Sequence, residues 1–277
     1  MNMKEMFDLK GRVALITGGA GLLGTHHAEI LAEAGANIVI FDIDKKTCEE
    51  KAGYISDSFS VDCLGIAVDI TDKESVERGF KKVMDKFGRV DILINNAAMT
   101  LAASAFEGLD FFAPFEDYPL EIWKKALDVN LTGMFLVTQQ AVKVMKEQKS
   151  GVIINISSTY GNVSPDHRIY EGIKNPYGPG NMGSPLHYAV SKSGVLNFTR
   201  WLATYLAPYN IRVNTLTPGG VFHKHDKKFV DNYSNHVPLG RMADEEDYKG
   251  AILFLASDAS SYMTGSNMIV DGGWTCW

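Results

Sequence analysis

A tyrosine and a lysine four residues apart, Tyr188 and Lys192, form the pair whose types and spacing point most directly to chemistry. Side chains at positions i and i+4 share one face of a helix, so an ammonium group here would stand beside a phenol. A neighbouring positive charge favours the phenolate and lowers the pKa of a tyrosine, which is ordinarily ~10. The spacing therefore predicts a proton-transfer pair.

A second pair, Tyr170 and Lys174, has the same spacing. Gly172 lies between these two residues and Pro176 follows them, and both residue types weaken or end a helix. After Tyr188, by contrast, apolar residues recur on one side of a helix as far as position 206. The sequence thus predicts a supporting helix at Tyr188 only. The alternative for either pair is a half-buried tyrosine beside a solvated lysine.

Seven short runs rich in β-branched residues alternate with helix-length segments and are predicted strands. The runs cover residues 12–17, 37–42, 63–68, 91–95, 151–156, 211–216 and 267–270. They are apolar on both faces, as a parallel sheet covered by helices on both sides requires. The predicted class is α/β: a doubly wound, Rossmann-type, parallel seven-stranded sheet with helices on both faces, in a single domain of residues 1–277.

Three connections, 97–119, 157–186 and 217–244, are too long for plain crossovers, and each follows a predicted strand. Because the carboxyl ends of parallel strands form the ligand crevice, these insertions are expected to border a substrate. The first holds Phe106, Phe111, Phe112, Phe115 and Tyr118; the second holds Asp166, His167, Arg168, Tyr170, Asn175, Tyr177 and Asn181. Aromatic faces beside hydrogen-bonding groups suit a polyhydroxylated ligand, and a lid without direct contacts is the alternative.

The first predicted strand runs into a turn rich in glycine and then into a helix predicted over 26–34. Free backbone amides at a helix start can receive the pyrophosphate of a dinucleotide. Asp42 ends the second predicted strand, near the position of an acidic residue that binds the adenosine ribose. Its carboxylate would accept hydrogen bonds from the ribose and repel a 2′-phosphate, so NAD is predicted over NADP.

Six segments in order, followed by two more near the end, resemble the short-chain dehydrogenase/reductase family over essentially the whole chain. They are Thr17 to Gly24, Asp69, Asn95 to Ala98, Asn130, Ser157 with Ser158, Tyr188 with Lys192, then residues 211–219 and 264–273. The resemblance implies an NAD(P)-dependent oxidoreductase acting on CH–OH groups. Members that act on sugar acids and surface-glycan precursors are similar at the glycine turn, which suggests carbohydrate metabolism, including flagellin modification.

The resemblance also implies roles for individual residues. Tyr188 would pass the proton, Ser158 would hydrogen-bond the reacting oxygen, and Lys192 would also hold the nicotinamide ribose. Asn130 would support a water-linked relay to Lys192. The implied cofactor-binding residues are Thr17, Gly18, Gly19, Gly21, Leu22, Leu23, Gly24, Asp42, Ile43, Asp69, Ile70, Asn96, Ala97, Ala98, Tyr188, Lys192, Pro218, Gly219 and Val221. The candidate substrate contacts are Ser158, Tyr170 and His223.

The chain departs from the family pattern at two positions. Leu22 stands where the glycine turn usually has glycine, so its Cβ would crowd the pyrophosphate unless the turn is rearranged; loss of cofactor binding is the alternative. His223 stands where a threonine often contacts the nicotinamide carboxamide, and it would replace that contact, face the substrate or be solvated. No metal is expected, because His223 and His225 lack a clear acidic or cysteine partner.

Charge and composition exclude several classes of partner. The chain has 27 basic and 33 acidic residues, a net charge of −6, and no basic block, so nucleic acid is not expected as a partner. Neither a signal peptide nor an apolar run of membrane-spanning length is found, which predicts a cytoplasmic protein without a membrane partner. Three separate cysteines indicate ordinary thiols. A homo-oligomer, a tetramer or dimer, is implied by the family through helices near 120–148 and 187–206, with Trp274 and Trp277 buried by that packing.

The function predicted from these residues is an NAD-dependent interconversion of a secondary alcohol and a ketone on a polar, sugar-derived small molecule. Two alternatives remain at this stage. One is a 3-oxoacyl-thioester reductase, which should favour NADPH and a basic carrier-binding surface. The other is a non-catalytic dinucleotide-binding scaffold protein on the same fold.

Overall fold

A computed structural model describes residues 2–101 and 108–277, and at its centre lies one sheet of seven strands. The spatial order is β3-β2-β1-β4-β5-β6-β7, and every neighbouring pair is parallel. The strands are β1 (Val13–Thr17), β2 (Asn37–Asp42), β3 (Cys63–Ala67), β4 (Ile92–Asn95), β5 (Gly151–Ile156), β6 (Ile211–Pro218) and β7 (Asn267–Val270). The predicted doubly wound sheet and its single domain are confirmed.

The described α-helices cover both faces of the sheet. They are α1 (Met3–Phe7), α2 (Leu22–Glu33), α3 (Lys45–Phe59), α4 (Lys73–Phe87), α5 (Leu120–Leu127), α6 (Met134–Gln148), α7 (Thr159–Asn162), α8 (Leu186–Leu206), α9 (Lys227–His236) and α10 (Lys249–Ala256). The first crossover helix, α2, begins four residues before the predicted start, because Gly21 is its N-cap. The helix expected near 120–148 is divided by a π-helical segment, Asp128–Gly133.

Two apolar layers pack on the sheet, one on each face. In β1, Ala14 and Ile16 face the layer that contains α2 and α10, whereas Val13 and Leu15 face the layer that contains α4, α6 and α8. All five residues of β1 are buried. Continuous apolar strands are needed because both faces are covered, and this pattern is what the sequence showed.

The third long connection is more ordered than the sequence indicated. It carries α9, whose Phe229 and Tyr233 are buried against Tyr170 of the second connection and Trp274 near the end of the chain. The Tyr233 and Trp274 rings stack with their centroids 4.3 Å apart. Trp274 is therefore buried by its own chain, so the expectation that packing against a partner subunit buries it is wrong. Trp277 is exposed.

The first two connections meet each other over the sheet. Phe111 is fully buried with Met99 and Ile122, and the Asn175 amide donates to the Asp110 carboxylate at 2.9 Å. Phe106 lies outside the described residues. Among the residues described, no helix has the length and apolar character needed to cross a membrane.

Candidate active site

A cleft of about 660 Å³ opens at the carboxyl ends of the strands, where a doubly wound sheet binds ligands. Most of the predicted cofactor-binding residues line it. They are Gly18, Gly21, Leu22, Leu23, Gly24, Asp42, Ile43, Asp69, Ile70, Asn96, Ala97, Ala98, Tyr188, Lys192 and Pro218. Four predicted residues, Thr17, Gly19, Gly219 and Val221, lie outside this lining. The size and position of the cleft fit an extended dinucleotide.

The glycine turn is built so that the chain passes close to itself. A Cβ on Gly24 would overlap the carbonyl oxygen of Gly18, and Gly18 has a φ of +60°, in the left-handed region that favours glycine. Leu22 is the first residue of α2 and is 38% exposed, while Gly21 caps the helix without a side-chain hydrogen bond. The amides of the first turn of α2 are thus left without a side-chain cap, which fits an anionic ligand.

Thr17 does not line the cleft but holds neighbouring backbone in place by hydrogen bonds. Its hydroxyl accepts hydrogen bonds from the backbone amides of Asn96 and Ala97, each at 3.1 Å. The Asn96 side chain donates in return to the carbonyl oxygens of Thr17 and Gly18, at 3.0 and 3.1 Å. These bonds tie the ends of β1 and β4 together and fix the floor of the cleft.

Two carboxylates lie at the end of the cleft formed by β2 and β3. Asp42 accepts hydrogen bonds from the amides of Ala20 and Ile43, at 3.1 and 2.8 Å, which hold it beside the glycine turn. Burial raises the pKa of Asp69, but hydrogen bonds from Thr71 outweigh burial and leave the pKa below its ordinary value. Both side chains are thus anchored to neighbouring backbone.

Tyr188 and Lys192 share one face of α8, as the spacing predicted, and both line the cleft. The Lys192 ammonium lies 5.7 Å from the centroid of the Tyr188 ring and donates to the carbonyl oxygen of Ile156 at 2.7 Å. Lys192 is only 2% exposed, and burial lowers its pKa to about 8.

Burial acts against the lowering of the Tyr188 pKa that a neighbouring ammonium and the positive nicotinamide ring are predicted to cause. Burial raises the pKa of the phenol, and its hydrogen bond with the Ser158 side chain only partly offsets that rise. The physical reason is that the free-energy cost of moving the phenolate out of water exceeds the stabilisation that its neighbours provide. The sequence identified the opposite charge but not the depth of burial.

The two serines after β5 have different partners. The Ser157 hydroxyl donates to the carbonyl oxygen of Lys192 at 2.8 Å, so it braces α8. Ser158 is the N-cap of α7, accepts from the Tyr160 amide at 3.2 Å and interacts with Tyr188. This arrangement favours Ser158 as the serine that faces a reacting oxygen.

Asn130 lies in the π-helical segment and is 1% exposed. Its side chain accepts from the Met99 amide at 2.7 Å and donates to the Met99 carbonyl and to the Ser191 hydroxyl, at 3.1 and 2.9 Å. The side chain is therefore occupied in holding the wall of the cleft against α8. The water-linked relay to Lys192 stays a prediction.

His187, the residue before Tyr188, was missed by the sequence reasoning. It is fully buried, with Nε2 2.9 Å from the carbonyl oxygen of Thr100 and Nδ1 2.6 Å from the Tyr118 hydroxyl. A carbonyl can only accept, so Nε2 carries the proton and Tyr118 donates to Nδ1. Burial lowers the pKa of His187, which keeps the ring neutral. Both partners are distant in sequence, and no local signal marks them.

The three predicted substrate contacts are placed differently. Ser158 lies beside Tyr188, and Tyr170 is buried with its hydroxyl 2.9 Å from that of Tyr160. His223 is exposed, with its ring 3.6 Å from the Glu245 carboxylate, and it does not line the cleft. A substrate role for His223 stays a prediction.

Within the described residues, His26, Glu29 and Glu246 are grouped closely enough to hold an ion. Lys249 already lies among them, with its ammonium 2.9 Å from Glu29 and 2.8 Å from Glu246. The group is therefore explained as an ion-pair network between α2 and the start of α10.

Comparison with known proteins now identifies the family. Residues 12–171 match the family model described as short chain dehydrogenase, and residues 179–275 match one described as enoyl-(acyl carrier protein) reductase. The chain belongs to the short-chain dehydrogenase/reductase family. It is accordingly an oxidoreductase of the class that acts on CH–OH groups with a nicotinamide dinucleotide.

Individual relatives differ in substrate. The chain is 36% identical to a trans-4-hydroxycyclohexanecarboxylate dehydrogenase of Sinomonas cyclohexanicum, over 95% of this chain and 93% of that protein. It is 33% identical to the 3-oxoacyl-[acyl-carrier-protein] reductase of Aquifex aeolicus, over 96% and 98%. A solved gluconate 5-dehydrogenase of Burkholderia cenocepacia, in complex with NADP and tartrate, superposes with a TM-score of 0.85 at 29% identity, over 100% of both chains.

Solved neighbours also differ in cofactor. They include an NAD⁺-bound xylitol dehydrogenase and an NADPH-dependent 3-quinuclidinone reductase. The family thus establishes a nicotinamide dinucleotide, and the choice between its two forms depends on residues of this chain.

Proposed function

We propose that this protein is an NAD-dependent oxidoreductase that interconverts a secondary alcohol and a ketone on a polar, sugar-derived substrate. The observation that carries the proposal is that Tyr188 and Lys192 line a dinucleotide-sized cleft while the Ser158 side chain hydrogen-bonds Tyr188. When bound there, the cofactor supplies the hydride acceptor or donor. The chain itself must then orient the alcohol and move one proton.

Each group has a defined task in the proposed reaction. Ser158 hydrogen-bonds the substrate oxygen, and Tyr188 takes its proton during oxidation or returns it during reduction. Lys192 holds the nicotinamide ribose, and its positive charge favours the phenolate form of Tyr188. Asn130 and His187 hold Met99 and Thr100, two residues of the cleft wall, in place.

NAD is proposed over NADP because of Asp42. Its carboxylate is held at the cleft beside the glycine turn, where it can accept from ribose hydroxyls and would repel a 2′-phosphate. Besides Lys192, the described lining of the cleft contains one cation, Lys125, whose charge acts on Asp69. The test is fluorescence titration with NADH and NADPH: tighter NADH binding is expected, and Asp42→Asn should reduce the difference. Tighter NADPH binding by the unaltered protein would contradict the proposal.

A 3-oxoacyl-thioester reductase is the second candidate, since the chain matches such an enzyme at 33% identity. That reaction predicts a preference for NADPH and turnover of an acetoacetyl thioester. An assay of acetoacetyl-CoA reduction with both cofactors separates the candidates, because the leading proposal expects little activity with either.

We also propose a homo-oligomer, a tetramer or dimer, formed through α5, α6 and α8. Large apolar side chains are exposed on these helices: Leu120, Phe135, Val190, Trp201 and Tyr205. Light scattering that shows a stable monomer at micromolar concentration would refute this. A cytoplasmic location is proposed from the sequence, and cell fractionation tests it. A role in surface-glycan or flagellin-modification metabolism is proposed on the resemblance alone.

A further inference from the structure

The first turn of α8 carries Tyr188 and begins without a side-chain cap. The helix starts at Leu186, and its N-cap, Pro185, makes no side-chain hydrogen bond. The amides of Tyr188 and Ala189 both donate to the Pro185 carbonyl, at 3.1 and 3.4 Å. The first turn of a helix frays readily, because its backbone lacks the full set of intrahelical bonds. An anchor outside the helix would therefore steady the backbone at Tyr188.

His187 supplies such an anchor. Its fully buried ring donates from Nε2 to the Thr100 carbonyl at 2.9 Å and accepts at Nδ1 from the Tyr118 hydroxyl at 2.6 Å. The Phe111 ring packs edge-on against it, with the centroids 6.2 Å apart. Two hydrogen bonds and an aromatic contact thus fix both the position and the orientation of the imidazole. Because His187 directly precedes Tyr188, they also restrain the backbone at Tyr188.

Tyr118 fixes which nitrogen of His187 carries the proton. A neutral imidazole has one donor and one acceptor, and the Tyr118 hydroxyl occupies the acceptor, Nδ1, so that Nε2 is left as the donor to Thr100. Loss of this hydroxyl would leave a buried nitrogen without a partner. Tyr118 belongs to the first insertion, so this bond also joins that insertion to α8.

The other end of the anchor is residues 98–101, which follow β4 and line the cleft. Within the described residues, no backbone–backbone hydrogen bond involves these four positions, so side chains hold them. Asn130 bonds to both the amide and the carbonyl of Met99, whereas His187 bonds to the Thr100 carbonyl. Since the bonds to Met99 do not depend on His187, a change at His187 should disturb the first turn of α8 more than cofactor binding.

We propose that His187 is a positioning residue for proton transfer, because it anchors the first turn of α8 and so holds the Tyr188 hydroxyl at the reacting oxygen. Tyr118 acts with it by fixing the direction of its hydrogen bonds. This role rests on the proposed function and deepens it, since both residues act through Tyr188 and need not touch the substrate. A displacement of about 1 Å at a reacting group can lower a rate about 100-fold.

Three substitutions separate the two hydrogen bonds of His187. His187→Gln can place an amide N–H near the position of Nε2 and keep the bond to Thr100. His187→Asn can place a carbonyl oxygen near the position of Nδ1 and keep only the bond from Tyr118. His187→Leu fills a similar volume and keeps neither bond. The anchor to Thr100 is therefore retained in His187→Gln alone.

The first experiment measures kcat and cofactor affinity in these variants. The unaltered protein is assayed with NAD⁺ and, separately, NADP⁺ on xylitol, D-glucitol, D-gluconate and trans-4-hydroxycyclohexanecarboxylate, and the fastest combination is used throughout. We expect kcat to fall about 10- to 100-fold in His187→Leu and His187→Asn, and less than about threefold in His187→Gln. The Kd of NADH, from fluorescence titration, should change less than about threefold in all three. An equal loss of kcat in His187→Gln, or no loss in His187→Leu, would overturn the positioning role.

Tyr118→Phe tests the second hydrogen bond with a milder change, since Tyr118 is half-buried and keeps its ring. We expect kcat to fall about three- to tenfold, with an unchanged Kd for NADH. The double variant Tyr118→Phe with His187→Leu should lose no more than His187→Leu alone, because both changes break the same anchor. Additive losses would show that Tyr118 acts independently of His187.

Amide hydrogen exchange tests the anchor without turnover. Residues 186–190 should exchange faster in His187→Leu than in the unaltered protein or in His187→Gln, while residues 200–206 at the other end of α8 should be unchanged. Unchanged exchange at 186–190 in His187→Leu would overturn the anchor, even if the unaltered protein oxidises an alcohol. Cofactor binding without turnover of any of the four alcohols would instead overturn the proposed function.

Discussion

Two tyrosine–lysine pairs have the same spacing but lie in different secondary structures. They are Tyr188 with Lys192 and Tyr170 with Lys174. The first two residues lie on the 21-residue helix α8, where Lys192 is buried. Tyr170 ends a 3-10 helix, His167–Tyr170, and Lys174 lies in a β-bridge with Asn181. The difference teaches that a four-residue spacing becomes a proton-transfer pair only when one helix carries both side chains into a common site.

The backbone between the paired residues explains the difference. Gly172 has a φ of +70°, a left-handed conformation that breaks a helix, and it lies midway between Tyr170 and Lys174. Tyr170 is instead recruited to the aromatic cluster beneath α9, with its hydroxyl on Tyr160. Tyr188, by contrast, faces the cleft.

The largest expected effect comes from removing the two phenol hydroxyls in turn. Tyr188→Phe should lower kcat/KM by about 10³-fold or more, because positioned acid–base groups contribute about 10² to 10⁴. Tyr170→Phe should lower it less than about tenfold, through substrate KM. NADH fluorescence titration should show unchanged cofactor affinity in both. A Tyr188→Phe enzyme within tenfold of the unaltered protein would remove the distinction between the pairs.

The two lysines provide the next comparison. Lys192→Met should reduce kcat/KM by about 10²-fold, because it removes the charge that favours the Tyr188 phenolate and the proposed ribose contact. Lys174→Met, a change at an exposed position, should leave kcat/KM within about twofold. Steady-state kinetics with both substrates varied measures each. Comparable losses in the two variants would refute a special role for Lys192.

The same lysine variants should also differ in stability. Here Lys192→Met, which is expected to lower activity, is expected to raise the free energy of unfolding. Burial lowers the folded-state pKa of Lys192 to about 8, so between that pH and ~10.4 the unfolded chain binds more protons and stability rises with pH. Near pH 7 the buried ammonium is destabilising, and Lys192→Met should raise the free energy of unfolding by about 1–2 kcal/mol after the loss of its hydrogen bond.

Urea unfolding at pH 7 and pH 9.5 tests this expectation. The advantage of Lys192→Met should shrink at the higher pH, while Lys174→Met should follow the unaltered protein at both. An advantage that does not change with pH would show that the lowered pKa of Lys192 is not its cause.

The smallest effect concerns the glycine that separates Tyr170 from a helix. Gly172→Ala should cost about 1 kcal/mol, because alanine is strained at positive φ. Its Cβ would meet only the flexible end of Lys228, so Gly180→Ala, at a φ of +88° in open space, is a matched control with a similar cost. Urea unfolding and far-ultraviolet circular dichroism measure both. An unchanged free energy of unfolding in Gly172→Ala, beside a loss in Gly180→Ala, would contradict the strain expected at Gly172.

Sequence alone determined the sheet, because local patterns encode it. Continuous apolar runs mark strands covered on both faces, and all seven predicted strands are present, with ends that differ by at most two residues. The glycine turn, the position of Asp42 at the end of β2 and the helix beneath Tyr188 are likewise local, and each is found as predicted. The family motifs added the order of these segments.

Tertiary structure alone decided the burial, the long-range hydrogen bonds and the pKa shifts of the site residues. His187 contacts residues 87 and 69 positions away, Asn130 reaches Met99 and Ser191 from a π-helical segment, and Trp274 is buried by its own chain. Burial raises the pKa of the half-buried Tyr188, although the sequence showed only its neighbouring charge. Periodicity reports which face of an element is apolar; burial and long-range hydrogen bonds depend on which distant elements cover that face.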